Sequence, residues 1–189
     1  MLSFINSSLS LDSIRTPRPC VFLDRDGVVI VNKPYLSDPE QIVFTSKAFE
    51  GLRLLQQSGV RLILISNQSG IGRGYFTEEE FKAVHYRLIA LLEEQQIYFD
   101  ACYYCPHAPE EHCDCRKPSI GMLKQACEDF AVIQECSWMI GDSECDIKLA
   151  QNFSIRSIFL KKSGPCECSE ADKTAVCSNL LECAKLIIS

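Results

Sequence analysis

The stretch Val21-Phe22-Leu23-Asp24-Arg25-Asp26-Gly27-Val28 is the most informative part of this sequence. Its apolar residues predict a buried strand, and the strand breaks at the glycine. In an extended strand, residues i and i+2 point to the same side, so Asp24 and Asp26 are expected to leave the strand end together. A cation between them relieves their repulsion, and Mg²⁺ prefers carboxylates together with phosphate oxygens. The stretch therefore predicts a phosphate-handling site with an Asp nucleophile; the alternative is a solvated turn.

Length, composition and net charge exclude several classes of protein. Its 189 residues suffice for one domain, with 47% hydrophobic and 23% charged residues. A net charge of −6 argues against a nucleic-acid partner, and no apolar run is long enough for a membrane helix. Residues 1–19 are Ser-rich and predict a loose N-terminal leader before a single domain over 20–189. No export signal is recognisable, so the reducing cytoplasm is the expected compartment.

Strand-like and helix-like segments alternate along the chain. The segment after Thr77 begins with a capping box closed by Glu80, and Ser119 and Ser178 are the expected caps of two later helices. This alternation predicts an α/β fold, a Rossmann-like doubly wound parallel sheet with helices on both faces. No insertion is long enough for a large cap domain. The predicted strands are 20–23, 61–66, 101–105, 137–140 and 157–160.

Polar residues follow the other predicted strands, where ligands bind in such sheets. Ser66 and Asn67 end the second strand as donors for a phosphoryl group, and Arg73 lies in a glycine-rich loop where it is able to hold an anion. The alternative is an ordinary flexible loop. Asp142 ends the fourth strand as Asp24 ends the first, whereas Asp146 lies in a first helical turn, where an acid also favours the helix dipole.

The order of these motifs resembles the haloacid dehalogenase superfamily of phosphotransferases over residues 20–162. Within it, three strings resemble the histidinol-phosphate and heptose-bisphosphate phosphatase subfamily. They are Asp24-Arg25-Asp26-Gly27, Ser66-Asn67-Gln68-Ser69-Gly70-Ile71-Gly72-Arg73-Gly74, and Cys105-Pro106-His107 with Cys113-Asp114-Cys115-Arg116-Lys117-Pro118.

The resemblance implies roles for individual residues. Asp24 becomes the nucleophile that forms an aspartyl-phosphate, and Asp26 the general acid and then the base. Ser66 and Lys117 stabilise the phosphoryl oxygens, and Mg²⁺ is held by Asp24, the backbone carbonyl of Asp26, and Asp142. The implied substrate contacts are Asn32, Lys33, Pro34, Tyr35, Ser66, Asn67, Gln68, Ser69, Arg73, Arg116 and Lys117.

Three positions depart from the pattern of the superfamily. Val28 stands where a Thr is frequent, and Ser66 replaces a frequent Thr but keeps the hydroxyl group. Ser143 follows Asp142 where this subfamily commonly carries a Lys or Arg, which removes one cation near the phosphate. The nucleophile, the acid and the Lys are retained, so a working phosphatase is the favoured interpretation over a binding protein of the same fold without turnover.

A cysteine-rich loop offers ligands for a second metal. Cys105, His107, Cys113 and Cys115 supply three thiols and an imidazole, the ligand set of a closed structural zinc site. The spacing alone leaves reduced surface thiols open, and the subfamily resemblance implies Zn²⁺. His112 is a competing ligand, with His107 favoured. For Cys166, Cys168, Cys177 and Cys183 near the C-terminus, spare or buried thiols are favoured over a further metal site.

The subfamily implies a small sugar bisphosphate as substrate for a monomeric enzyme. The expected reaction removes the 7-phosphate of D-glycero-D-manno-heptose 1,7-bisphosphate, a step towards lipopolysaccharide. The Gly121-Met122-Leu123 sequence and the segment around Arg73 favour this sugar, whereas the short spacer of the zinc loop favours the alternative, histidinol phosphate. A polynucleotide substrate fits poorly, because the chain is acidic and has no stripe of aromatic and basic residues.

Overall fold

A computed structural model of the chain describes residues 1–161 and 174–189, together with the backbone of 167–169. Its centre is one sheet with the strand order β1-β4-β3-β2-β5-β6-β8-β7. The inner strands from β4 to β8 pair in parallel, and β1 and β7 add an antiparallel strand at each edge. The strands are β1 (Leu2–Ile5), β2 (Cys20–Leu23), β3 (Arg61–Asn67), β4 (Ala101–Cys105), β5 (Trp138–Gly141), β6 (Arg156–Leu160), β7 (Glu167–Ser169) and β8 (Thr174–Cys177).

Helices cover both faces of this sheet. Along β2, Val21 and Leu23 belong to one apolar cluster, and Cys20 and Phe22 belong to another on the opposite face. This alternation buries a strand on both sides, as a doubly wound sheet requires. The helices are α1 (Leu11–Arg15), α2 (Ala48–Gln57), α3 (Ser69–Gly72), α4 (Glu78–Glu94), α5 (Gly121–Asp129), α6 (Glu144–Asn152) and α7 (Leu180–Ile188).

Each face has its own set of helices. The cluster with Leu23 includes residues of α2, α4 and α7, and the cluster with Phe22 includes residues of α5 and α6. All five predicted strands are present, and the predicted fold class is confirmed. The described residues contain no cap domain, and no helix among them is long and apolar enough to cross a membrane.

The N-terminal segment differs from the loose leader that the sequence predicted. β1 pairs with β4 through Leu2 to Ile5, so it forms an edge of the sheet. The later part of the N-terminal segment is held by Arg61, the first residue of β3. Arg61 is fully buried, and its guanidinium donates to the carbonyl oxygens of Ile14, at 3.0 Å, and Thr16, at 3.1 Å. The prediction of a loose segment is therefore wrong, because a strand pairing and a buried arginine from a later strand bind it to the domain.

Two predicted helix caps are displaced by one residue. α5 begins after Ile120 with no side-chain cap, so Ser119 does not cap it. At α7, Asn179 caps the helix by accepting from the Glu182 N–H, and Ser178 instead donates to the Glu182 carboxylate at 2.9 Å. The capping box of Thr77 and Glu80 is confirmed at α4. Of the cysteines near the C-terminus, Cys177 and Cys183 are buried, and the side chains of Cys166 and Cys168 lie outside the described residues.

Candidate active site

A cleft of about 280 Å³ lies at the carboxyl ends of the central strands. β2 runs between β3 and β5, so side chains that follow these three strands meet at one edge of the sheet. The loop after β2 forms one wall and the segment after β4 forms another. The cleft is lined by Asp24, Arg25, Asp26, Asn32, Lys33, Pro34, Tyr35, Leu36, Asn67, Gln68, Ser69, Gly70, Phe76, Arg116, Lys117, Asp142, Ser143 and Cys145.

The Lys117 ammonium group lies between two carboxylates at the floor of this cleft. Its Nζ is 3.0 Å from Asp24 Oδ2 and 2.6 Å from Asp146 Oδ1. It also donates to the carbonyl oxygen of Ile65 at 3.0 Å. All three charged side chains are buried, so each ion depends on the others for compensation of its lost hydration.

The charges in this cluster shift one another's protonation. Burial raises the pKa of Asp24 to about 8, although the neighbouring Lys117 ammonium lowers it in part. For Lys117, burial lowers the pKa, but the carboxylates of Asp24 and Asp146 outweigh burial and raise it above its ordinary value. Lys117 therefore stays protonated at neutral pH, with its ammonium group against the carboxyl groups of Asp24 and Asp146.

Three carboxylates form a set of oxygen ligands for a divalent cation. Oxygen atoms of Asp24, Asp142 and Asp146 all lie within 4.8 Å of one another. Gly27 has φ +85° and approaches so closely that a Cβ there would lie 1.8 Å from Asp142 Oδ2, so only glycine fits beside this carboxylate. Carboxylates crowded in this way, two of them buried and one half-buried, suit a hard cation such as Mg²⁺.

Strand alternation predicts that Asp24 and Asp26 share one environment, but in the structure they do not. β2 ends at Leu23, and the chain turns from Asp24 onward, so the two side chains line the same cleft with different partners. Asp24 pairs with Lys117, whereas the Asp26 carboxylate accepts from Arg25 Nε at 3.0 Å and from Gln68 Nε2 at 2.9 Å. The Lys117 ammonium group therefore compensates the charge on Asp24, and Asp24 and Asp26 do not share a cation between their side chains.

Asn67 holds the backbone of Lys117. Asn67 Oδ1 accepts from the Lys117 N–H at 3.0 Å, and Asn67 Nδ2 donates to the Lys117 carbonyl oxygen at 3.2 Å. The peptide bond between Lys117 and Pro118 is cis. The side-chain amide of Asn67, expected to contact the phosphoryl group, is thus engaged with the backbone of Lys117.

Ser143 occupies a helix-capping position. It precedes α6, and its N–H donates to Asp146 Oδ2 at 3.2 Å, while its hydroxyl group donates to the same oxygen. Asp146 is therefore held by a cap on one oxygen and by Lys117 on the other. This explains how a Ser is accommodated where a cation was expected.

The structure brings together most of the residues that the sequence assigned to substrate. Asn32, Lys33, Pro34 and Tyr35 line the cleft, as do Gln68, Ser69 and Arg116. Ser66 is buried beside the cleft, where its Oγ accepts from Gln68 Nε2 at 2.7 Å and so keeps its own hydrogen available for donation. Arg73 does not line the cleft and instead pairs with Glu110 at 3.3 Å.

The four predicted ligands of the cysteine-rich loop converge in one cluster. Sulfur atoms of Cys105 and Cys115 each lie 3.5 Å from that of Cys113, and His107 Nδ1 lies 3.6 Å and 3.4 Å from the first two. A tetrahedral zinc site requires about 3.8 Å between sulfurs and about 3.6 Å between sulfur and nitrogen. His112, the competing ligand, is not in this cluster.

The thiol groups of this cluster interact strongly with one another. Burial raises the pKa of Cys113, but hydrogen bonds from Cys105 and Cys115 outweigh burial and lower this pKa to about 6. Burial raises the pKa of Cys105. One thiolate is thus favoured at neutral pH, which is the form that a metal ion binds.

The sequence interpretation missed or undervalued two charged residues of the cleft. For Asp146 the sequence predicts a helix-dipole role at least as readily as a role in the site, yet the residue is fully buried against Lys117. The available signal was its position in the first turn of the helix that directly follows Asp142 and the end of β5. Arg25 received no role, and its signal was a charge at the end of an apolar strand.

Comparison with known proteins gives one consistent family. A family profile described as HAD-hydrolase-like matches residues 114–183. The D-glycero-beta-D-manno-heptose-1,7-bisphosphate 7-phosphatase of Helicobacter pylori J99 is 38% identical over 79% of this chain and 87% of its own length. The histidine biosynthesis bifunctional protein HisB of Legionella pneumophila Lens is 36% identical over 76% of this chain, but over only 41% of its own length.

A solved structure gives the same result in three dimensions. The D,D-heptose 1,7-bisphosphate phosphatase of B. bronchiseptica, crystallised with magnesium and phosphate, superposes with a TM-score of 0.80. It is 26% identical, and the match covers 90% of this chain and 98% of that one. The chain therefore belongs to the HAD-like phosphatase family that includes these heptose-bisphosphate phosphatases, and it is a phosphatase.

Proposed function

We propose that this HAD-like phosphatase removes the 7-phosphate of D-glycero-D-manno-heptose 1,7-bisphosphate in a Mg²⁺-dependent reaction through an aspartyl-phosphate on Asp24. The observation that carries the mechanism is the Lys117 ammonium group, held 3.0 Å from Asp24 and 2.6 Å from Asp146 in a cleft of about 280 Å³. The names of the heptose-bisphosphate phosphatases at 38% and 26% identity support the substrate.

Asp24 and Asp26 divide the chemistry between them in this proposal. An oxygen of Asp24 attacks phosphorus, and the bond from phosphorus to the leaving oxygen breaks as Asp26 gives that oxygen a proton. Water then attacks the phosphorus of the aspartyl-phosphate, its proton passes to Asp26, and the bond to Asp24 breaks. The separate partners of the two carboxyl groups suit these separate roles.

The remaining polar groups stabilise charge on the phosphoryl group. The Lys117 ammonium group lies 3.0 Å from Asp24 Oδ2, and the hydroxyl hydrogen of Ser66 is free to donate, so both groups serve as donors to the phosphoryl oxygens in this proposal. Asp24, the Asp26 carbonyl group and Asp142 would hold Mg²⁺, which offsets negative charge on substrate and carboxylates when it is bound. Lys33 and Arg116 on the cleft wall supply cations for a second phosphate group.

The substrate assignment is tested by phosphate release from a panel of compounds. The panel contains both anomers of the heptose 1,7-bisphosphate, histidinol phosphate and other sugar phosphates, each with and without Mg²⁺. We expect the highest kcat/KM for a heptose bisphosphate, and no turnover without Mg²⁺. A higher kcat/KM for histidinol phosphate, the substrate suggested by the similarity to HisB, would overturn the substrate assignment and leave the catalytic residues unchanged.

We also propose that Cys105, His107, Cys113 and Cys115 bind one structural Zn²⁺. The distances between their ligand atoms support this proposal, as does the favoured thiolate of Cys113. Metal analysis of the reduced, untagged protein should find about one zinc per chain. Cys113→Ser should lower this content, and Cys136→Ser, at an exposed free cysteine, is the matched control that should not.

A further inference from the structure

Arg25 is a buried cation that the proposed mechanism leaves unused. Its side chain is almost completely buried, and its guanidinium binds the Asp26 carboxylate with both Nε, at 3.0 Å, and Nη2, at 3.1 Å. Its other side lies over the ring of Phe81, with the guanidinium carbon 5.2 Å from the ring centre. Phe81 is itself fully buried, so the guanidinium is fixed between a ring and a carboxylate.

Stability alone does not explain an arginine at this position. The residue lies just beyond the end of the apolar strand β2, and Nη1 of Arg25 is buried without a hydrogen-bond partner among the described residues. A buried cation with an unused donor costs free energy, and an apolar side chain at the same place avoids that cost. What this arginine provides is a bidentate contact with Asp26, which fixes both oxygens of that carboxyl group.

The Asp26 carboxyl group is held apart from the other acids of the cleft. Oxygen atoms of Asp24, Asp142 and Asp146 form the close group described above, and Asp26 is not part of it. Gln68 adds a third donor to Asp26 at 2.9 Å and binds Ser66 with the same nitrogen at 2.7 Å. Three donors from two buried residues therefore determine where the carboxyl group of Asp26 points.

We propose that Arg25 is a positioning residue for proton transfer: held by the ring of Phe81, it keeps the Asp26 carboxyl group oriented for both of its proton transfers. This inference rests on the proposed two-step mechanism. In the first step the proton of Asp26 goes to the leaving oxygen, and in the second a proton of the attacking water goes to Asp26. Neither step involves a bond to Arg25.

The inference predicts a dependence on the leaving group. A sugar alkoxide needs a proton as it leaves, whereas p-nitrophenolate leaves without one, so only the sugar substrate requires a well-oriented acid in the first step. The second step needs the base for both substrates. A variant with a misplaced Asp26 should therefore be slow in both steps with the sugar phosphate, and slow only in the second step with p-nitrophenyl phosphate.

The test measures pre-steady-state and steady-state turnover of Arg25→Lys with both substrates. General acid–base catalysis typically contributes about 10²–10⁴-fold, so we expect kcat for the sugar phosphate to fall by at least about tenfold. With p-nitrophenyl phosphate we expect a burst of about one p-nitrophenol per active site, followed by a steady state slower than that of the wild-type chain. A loss of activity that is equal for both substrates, with no burst, would overturn the inference.

Two further variants keep the test independent of folding. Arg61→Lys alters another fully buried arginine. Arg61 lies outside the cleft and pairs with Asp100, with 3.0 Å between Nη1 and Oδ1, so this variant should show neither the burst nor the leaving-group dependence. A burst in this control would also contradict the inference. Phe81→Leu retains Arg25 but removes its supporting ring, and we expect the same pattern as in Arg25→Lys at smaller size.

The outcome separates this inference from the function on which it rests. If the wild-type chain hydrolyses neither substrate, or if Asp24→Asn retains turnover, the proposed function fails. If the wild-type chain is active through Asp24 and Arg25→Lys loses both activities in equal proportion, only the positioning role of Arg25 is overturned.

Discussion

The two polar clusters at the carboxyl edge of the sheet are assembled in opposite ways. The Cys/His cluster takes all of its ligands from residues 105–115, so one loop contains the whole site. The cleft cluster joins Asp24 after β2, Lys117 after β4, Asp142 after β5 and Asp146 in α6. A local site depends on the conformation of one loop, whereas a dispersed site exists only when the whole sheet has formed.

The two clusters are nevertheless connected along the chain. Cys115 is a ligand in one cluster, and Lys117, two residues later, is the central cation of the other. Arg116 between them lines the cleft and donates to the carbonyl oxygen of His107 at 3.4 Å. We therefore expect substitutions in the cleft to lower kcat most. Substitutions in the Cys/His loop should mainly lower the stability of the fold, and should lower kcat only through the displacement of Arg116 and Lys117.

The largest effect is expected from Asp24→Asn. Removal of the nucleophile should lower kcat by a factor on the order of 10⁴ or more, because no other carboxylate takes its place in the attack. Zinc content and the circular dichroism spectrum should stay unchanged, since Asp24 is not among the ligands of the Cys/His cluster. Residual turnover within about tenfold of wild type would contradict the role of Asp24 as nucleophile.

A smaller loss of turnover is expected from Lys117→Met. Loss of one charge-stabilising donor typically lowers kcat by about 10²–10³-fold. The variant also leaves Asp24 and Asp146 buried without their cation, so the free energy of unfolding should fall by about 3–5 kcal/mol without Mg²⁺.

Addition of Mg²⁺ to Lys117→Met should restore part of the lost stability, because a divalent cation compensates the same carboxylates. Chemical denaturation with and without Mg²⁺ measures this difference. Lys124→Met, at an exposed lysine, is the matched control and should change neither stability nor turnover. Full stability of Lys117→Met without Mg²⁺ would contradict the ion-pair account of the cleft.

The effect of Cys113→Ser should distinguish the loop from the cleft. With one ligand lost, zinc binding weakens, and we expect a decrease in stability of about 2 kcal/mol, or about 4–8 °C in Tm. Turnover should fall only through the displacement of Arg116 and Lys117, and excess zinc should partly restore it. A variant that retains full Tm but loses turnover would reverse the roles assigned to the two clusters.

The smallest effect concerns the pH dependence of the metal-free cleft. Burial raises the pKa of Asp24 from 3.8 to about 8. The stability that this group contributes is therefore fully present below about pH 4 and is lost as the pH rises towards 8. Between pH 5 and pH 8 in Mg²⁺-free buffer, wild-type stability should therefore fall more steeply than that of Asp24→Asn, which has no carboxyl group to titrate at this position. Urea denaturation at both pH values measures this difference.

The fold followed from local patterns to a large extent. Apolar runs and helical stripes placed the five predicted strands correctly, because a strand that is buried on both faces has a recognisable composition. β1 was missed: it lies at the sheet edge and is mostly exposed, so it lacks such a run. The binding of the N-terminal segment by Arg61 was equally invisible, since it joins residues far apart in the chain.

The sequence by itself indicated most residues of both clusters, with Asp146 the member whose place it left open. Position at strand ends identified Asp24 and Asp142, whereas the resemblance to the family implied the roles of Lys117 and of the Cys/His ligands. Only the tertiary structure decided which group faces which: that Lys117 lies between Asp24 and Asp146, that Asn67 holds the Lys117 backbone, and that Arg25 holds Asp26. The physical reason is that residue types and local spacing follow from the chain, whereas the pairing of buried charges depends on distances between strands that are brought together only by folding.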